Sequence, residues 1–172
     1  DKFLTILELQ KHGIDIPKTY VASTISSEKK ILETVNYPVM VKIPSGTHGK
    51  GVMVADSYAA ASSVLDTLEV FKQPYIIQDY VETNATDIRA IVLGDKVVAA
   101  MRRKAGNGEL RANIHMGGKG TPVTLDYNTE RVAVKAAKAV GADICAIDIL
   151  ESNKPKVIEV NLSPGLKGIT SV

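Results

Sequence analysis

Apolar and polar positions run along this chain in two rhythms. Phe3, Leu4, Ile6 and Leu7 recur at helical spacing and predict a helix from Asp1, its cap, to about His12, with Gly13 as the stop. Alternating or near-continuous apolar runs then predict strands at 18–24 (KTYVAST), 38–43 (PVMVKI), 51–55 (GVMVA) and 75–81 (YIIQDYV). Ser26 or Ser27 caps a short helix that ends near Val35, and Ser57 caps another through about Val70. From Asp87 the rhythm changes. DIRAIVL and KVVAAMRRK flank Gly94-Asp95, a hairpin signal. A polar, glycine-rich stretch follows (105–120), then a short strand VTL, then a helix at 130–140 capped by Thr129 and ended by Gly141. Two apolar strands, ICAIDIL (144–150) and KVIEVNL (156–162), close the pattern around the polar turn ESNKP. The order is β-α-β-β-α-β, then a hairpin, a loop, a helix and a second hairpin. That order predicts an α+β protein of two subdomains, not one continuous parallel sheet.

Composition narrows the class. The chain has 172 residues, 45% hydrophobic and 23% charged, ordinary for a globular protein. A net charge of +2 is too small to argue for nucleic acid or a membrane surface, and 5% aromatics with no Trp leave no platform for stacking bases. Neither partner is expected. The single cysteine, Cys145, lies in an apolar run, which fits a buried thiol in a reducing cytoplasm. No apolar run reaches the roughly 18 residues needed to span a bilayer. The first residues open directly on a helix and the last run off a loop, so the chain is expected to be part of a larger protein.

The last hairpin carries the chemistry. Glu159 and Asn161 stand two apart in an apolar strand and so share a face. If the two final strands pair symmetrically about ESNKP, Glu151 lies opposite Lys156, Asp148 opposite Glu159, and Asn161 one step further on that face. Two carboxylates that close need a cation or a shared proton. With oxygen donors and no His or Cys nearby, Mg²⁺ or Mn²⁺ is the expected partner. The competing reading is the solvent side of an amphipathic hairpin, but the flanking positions read as buried on both faces.

PSGTHGKG carries three glycines in eight residues between two strands. It fails the Walker pattern and precedes no helix, so it is neither a P-loop nor a dinucleotide fingerprint. A glycine-rich hairpin can still fold over phosphates with its N–H groups. Lys42, just before it on a strand that reads as buried, is expected to reach an anion. The alternative is a lysine that bends out to solvent.

Together these pieces resemble the ATP-grasp superfamily and, within it, the RimK-like glutamate ligases. The resemblance runs nearly end to end. It is carried by VKIPSGTHGKGV, IIQDYVETNATDIR, VVAAMRRK, ELRANIHMGGKG, GADICAIDIL and VIEVNLSPGLKGI. It implies an α+β ATP-grasp fold in which two α+β subdomains hold ATP between them: a helix at 1–17 docking on the larger subdomain, a small subdomain with the glycine-rich phosphate loop at 18–80, and the larger one with the metal site at 81–172. Lys2 and Lys42 match the lysines that contact ATP phosphates. Asp79, Tyr80 and Val81 fall on the stretch that hydrogen-bonds adenine, and Asp87 matches the acid that meets the ribose. Arg111 and Asn113 match the loop near the γ-phosphate and are the catalytic candidates. Asp148, Glu159 and Asn161 match the ligands of two Mg²⁺ or Mn²⁺ ions. The chain departs from the family at His48 and Ser45 (SGTHG for EGTQG), at Met116 (RANIHMGG for RSNLHRGG), at Asp79 where Glu is common, and at Lys167 where Glu is frequent. These departures bear on the acceptor more than on the nucleotide.

The implied reaction joins an amino acid, glutamate by the resemblance, to a carboxylate acceptor (a protein C-terminus or a small molecule) through an acyl phosphate. Arg102 and Arg103, consecutive on a strand, point to opposite faces, and one of them is expected to hold a substrate carboxylate. The family's N-terminal domain is not in this sequence, and the full-length form is expected to be a cytoplasmic homo-oligomer. The alternative is a non-catalytic nucleotide-binding module of a larger protein.

Overall fold

A computed structural model describes residues 2–22, 24–46, 50–106, 119–166 and 169–171. The chain divides into two compact units, Pro17–Tyr80 and Lys2–Ile16 together with Val81–Val172. Among the described residues no helix is long and apolar enough to cross a membrane.

The first unit is a four-stranded antiparallel sheet with two helices. Its strands are β1 (Thr19–Tyr20), β2 (Val39–Lys42), β3 (Val52–Ala55) and β4 (Ile76–Asp79), in spatial order β1-β4-β2-β3. The helices are α2 (Ile25–Thr34) and α3 (Tyr58–Val70). Val39, Val41, Ala55 and Ile77 on the sheet bury against Leu32, Ala61, Leu65 and Leu68 on the helices. The helix α2 starts two or three residues earlier than its serines suggest. Thr24 is the cap, and Ser27 closes a reciprocal capping box with it.

The second unit carries α1 (Lys2–Lys11), α4 (Tyr127–Ala139) and a five-stranded antiparallel sheet. Its strands are β5 (Thr86–Leu93), β6 (Lys96–Lys104), β7 (Lys119–Pro122), β8 (Ile144–Leu150) and β9 (Lys156–Asn161), in the order β7-β6-β5-β8-β9. Ile88, Ala90, Val92, Cys145, Ile147, Ile149 and Val157 form one face and bury against Leu9, Ala133, Ala136 and Ala137. On the other face Ile91, Met101 and Ala146 pack with Ile169. Cys145 is free and buried, as its apolar surroundings imply.

Two expectations for this unit are corrected. The cap of α4 is Asp126, whose carboxylate accepts from the backbone N–H groups of Asn128 and Thr129 and from the Thr129 hydroxyl. A carboxylate satisfies more orphan donors than a hydroxyl, so the helix begins there rather than at Thr129. The short strand is Lys119–Pro122 rather than VTL, and Val123 only adds one bond to Ala100. Gly141 does end α4, with a positive φ of 69° that a side chain would resist.

Candidate functional site

The apolar pattern of β8 and β9 demands burial of Ile147, Ile149, Val157 and Val160 on the helix side. A simple pleat would then put Glu159 on that side too, because it is two residues from Val157. A register shift prevents this. Leu150 pairs with Lys156 and Ile149 with Val157, but Asp148 pairs with Glu159, Ile147 with Val160 and Ala146 with Asn161. Ile158 is the extra residue of a bulge. It turns Glu159 and Asn161 to the face away from the helices, beside Asp148. The expected pairing of Glu151 with Lys156 is wrong by one residue at the turn, and the bulge restores Asp148 opposite Glu159.

The same face continues across the sheet as a band of charge. Asp87 and Arg89 stand two apart on β5; Asp87 pairs with Arg103 on β6, and Arg89 with Asp148 on β8. The side chains follow that register. Arg103 donates from Nε and Nη2 to the Asp87 carboxylate at 2.6 and 2.8 Å, and reaches Asp148 at 3.1 Å. Arg89 donates from Nε and Nη2 to the two oxygens of Asp148, at 2.8 and 2.7 Å. Asn161 Nδ2 lies 3.4 Å from Asp148 Oδ2. Lys2, at the start of α1, holds Glu159 at 3.2 Å.

Burial decides what these pairs do to protonation. Asp87, Arg103 and Asp148 are buried. Burial raises the Asp87 pKa to about 6, a push that Arg103 opposes and the Asp148 charge reinforces. Burial also works against the charge on Asp148, but Arg103 and Arg89 outweigh it and hold this carboxyl below its usual range. For Arg103 the two carboxylates more than offset burial, so its guanidinium is held charged. The cations that relieve the repulsion between Asp148 and Glu159 are thus side chains: two arginines for the first and a lysine for the second.

The residue chemistry fits a hard divalent cation. Asp148, Glu159 and Asn161 offer only oxygen, and Glu159 keeps 34% of its side-chain surface open. Among the described residues no three His, Cys, Asp or Glu side chains gather elsewhere as a metal cluster. The third donor at this hairpin is an amide.

The other expected positions are spread over both units. In the first, Lys42 is half-buried at the end of β2, with Nζ 2.5 Å from the Gln78 carboxamide oxygen. Gln78 is buried and donates in turn to Thr19. A Cβ on Gly46 would lie 2.3 Å from the Lys50 carbonyl, so the hairpin backbone closes there only with glycine. The Asp79 N–H is taken by the Lys18 carbonyl, while Asp79 Oδ1 is a buried oxygen with no hydrogen-bond partner among the described residues. Tyr80 ends this unit and Val81 begins a segment of the other. Both are half-buried. Arg102 faces away from Arg103, exposed, and grips Glu151 at 2.6 and 2.7 Å. Asp1, residues 47–49 with His48, Arg111, Asn113, Met116 and Lys167 lie outside the described residues.

Sequence reasoning passed over Arg89 and did not tie Arg103 to Asp148. The signal was present: an arginine two residues after Asp87 on a strand otherwise buried must find a carboxylate.

Comparison with known proteins gives a consistent outcome. Residues 1–172 match the RimK-like ATP-grasp domain. A probable alpha-L-glutamate ligase 1 of Shewanella amazonensis is 43% identical over 172 residues, covering 98% of this chain and 57% of that protein. The chain therefore spans little more than half the length of such relatives. Among solved structures, the ATP-grasp ligase PsnB, complexed with a phosphomimetic variant of its minimal precursor, Mg and ADP, superposes with a TM-score of 0.77. Identity there is 18%, with 99% of this chain and 52% of that chain covered. D-alanine–D-alanine ligase of Bacillus anthracis gives 0.74 at 18% identity, over 96% of this chain and 55% of its own. At such identities the likeness establishes the fold.

Proposed function

The chain belongs to the RimK-like ATP-grasp domain family, and on that premise we propose that it is the catalytic part of an ATP-dependent ligase that joins an amino acid to a carboxylate acceptor. Glutamate is the amino acid that the names of its relatives favour. The observation that carries this reading is the bulged β8–β9 hairpin, which sets Asp148 directly opposite Glu159 with Asn161 on the same face. A scaffold has no use for two facing carboxylates in an otherwise apolar hairpin, whereas a metal–nucleotide site needs them.

In the proposed reaction an oxygen of the acceptor carboxylate attacks the γ-phosphorus of ATP, and the bond to the β-phosphate oxygen breaks to release ADP. The acyl phosphate so formed is attacked by the amine, which loses a proton, and phosphate leaves. Asp148, Glu159 and Asn161 would hold Mg²⁺, which when bound neutralises phosphate charge. Lys2 and Lys42 bind phosphate oxygens as point charges. Arg111 and Asn113 act beside the γ-phosphate, where positioned donors do most of the work in phosphoryl transfer. Asp79, Tyr80 and Val81 receive the adenine, and Asp87 the ribose. Arg89 and Arg103 keep Asp148 ionised.

The test is release of ADP and phosphate by the full-length protein across a panel of acceptors and amino acids, with Mg²⁺. Product formation that needs both an acceptor and an amine supports the proposal. Nucleotide binding without turnover under every combination favours a non-catalytic module.

A further inference from the structure

The two carboxylates of the hairpin are neutralised in different ways. Asp148 is 3% exposed, and one of its guanidinium partners, Arg103, is 4% exposed and also fixed to Asp87. Removing such a partner would strand a buried charge, so this arrangement is permanent. Glu159 stands on β9, the last strand of the sheet order, and its partner is a single ammonium on a flexible stem. The Lys2 and Glu159 side chains keep 18% and 34% of their surface open, so water can re-solvate both when they part.

We propose that Lys2 is an exchangeable counter-ion of Glu159, displaced when a divalent cation takes that carboxylate and given new partners by the nucleotide phosphates. This inference rests on the metal–nucleotide reading of the hairpin. An ammonium 3.2 Å from Glu159 Oε1 and a metal bound to the same carboxylate repel, so one must give way. Without nucleotide this repulsion opposes metal binding. With nucleotide the phosphates accept the lysine as the carboxylate accepts the metal. Metal and nucleotide thereby bind with positive coupling, which is reciprocal by linkage. Lys2 is a positioning residue in the first state and a phosphate ligand in the second. Its pairing with Glu159 also keeps that carboxylate aimed while the site is empty.

The experiment is Mn²⁺ binding, followed by the free-ion electron paramagnetic resonance signal, with and without a non-hydrolysable ATP analogue. The purified full-length protein is compared with Lys2→Met, Lys2→Arg and Glu159→Gln, and Lys2→Gln gives the same readout should methionine disturb the start of α1. Without nucleotide, Lys2→Met is expected to bind Mn²⁺ about three- to tenfold tighter than the wild type, the span of a partly exposed charge pair. Lys2→Arg, which keeps the cation, stays close to the wild type. With the analogue the order reverses, because the neutral variant has lost a phosphate contact. A lysine that merely supports the helix would not move the two affinities in opposite directions. If Lys2→Met leaves nucleotide-free affinity unchanged or weaker while Glu159→Gln abolishes it, the exchange is wrong and the metal reading stands. If Glu159→Gln binds Mn²⁺ like the wild type, the metal reading fails and the exchange fails with it.

Discussion

Arg103 grips the Asp87 carboxylate through Nε and Nη2, at 2.6 and 2.8 Å, while Nη2 also reaches Asp148 at 3.1 Å. One guanidinium thus joins β6 to the acids of two other strands, inside the protein. Arg103→Met should destabilise the protein by about 3–5 kcal/mol, because two buried carboxylates lose a shared cation. Arg103→Lys should recover only part of this, since an ammonium cannot reproduce the planar fork. Urea unfolding at neutral pH checks both. A loss below about 1 kcal/mol for the methionine variant would mean that the pair is dispensable.

Asp87 gives stability a pH signature. Burial, with the Asp148 charge, holds its pKa at about 6 against an ordinary 3.8. Between those values the folded protein keeps a proton that the unfolded chain has lost, so this group makes folding less favourable as pH rises from about 4 to about 6. Asp148 acts in the opposite sense. Its pKa is lowered, so its contribution is present above the ordinary aspartate value and fades as pH falls below it. The stability of the wild type relative to Asp87→Asn should therefore decline through the window from about 4 to about 6 and then level off. Denaturant titrations at stepped pH measure it, and a difference that rises through that window would contradict the assignment.

Glu159→Gln should abolish ligation and leave the fold intact. Its ion pair among the described residues is the partly exposed contact with Lys2, so the stability change should stay within about 1 kcal/mol. Turnover should fall roughly a hundredfold or more, as for loss of a group that stabilises transferring charge. Near-normal turnover in a folded variant would remove Glu159 from the metal site.

Lys42→Met probes the other unit. The methionine chain is of similar length, so the packing of β2 should persist, at the cost of the contact with buried Gln78, about 1 kcal/mol. If Lys42 binds phosphates that are not transferred, its loss should raise KM for ATP about ten- to hundredfold and change kcat little. Steady-state kinetics with varied ATP decides this. An unchanged KM would leave the phosphate role of Lys42 without support.

How far the sequence reaches can be followed on the last hairpin. Its two strands and the opposition of Asp148 to Glu159 are legible from alternation and the turn. The one-residue slip at the turn and the bulge at Ile158 are not, because a period-2 pattern cannot show an inserted residue. The two errors cancel at Glu159, which is why the facing carboxylates could be read from a pairing that is wrong at Glu151. The caps behave similarly. Asp126 and Thr129 are both plausible starts for α4, and only the hydrogen bonds to Asn128 and Thr129 choose between them. Consecutive arginines at 102 and 103 must point to opposite faces. Which one is buried depends on β6 sharing a face with Asp87, a long-range pairing that local pattern does not contain. The arginines around Asp148 follow from that pairing, and local pattern does not show them.

The central claim is ligation through an acyl phosphate, and oxygen transfer tests it most directly. The full-length protein would be given ATP, Mg²⁺, glutamate as the amine and an acceptor whose carboxylate carries ¹⁸O, and the released phosphate examined by mass spectrometry. Attack of the carboxylate on the γ-phosphorus predicts one labelled oxygen in each phosphate released, with ADP formed in equal amount. Unlabelled phosphate, or label found in AMP, would contradict it.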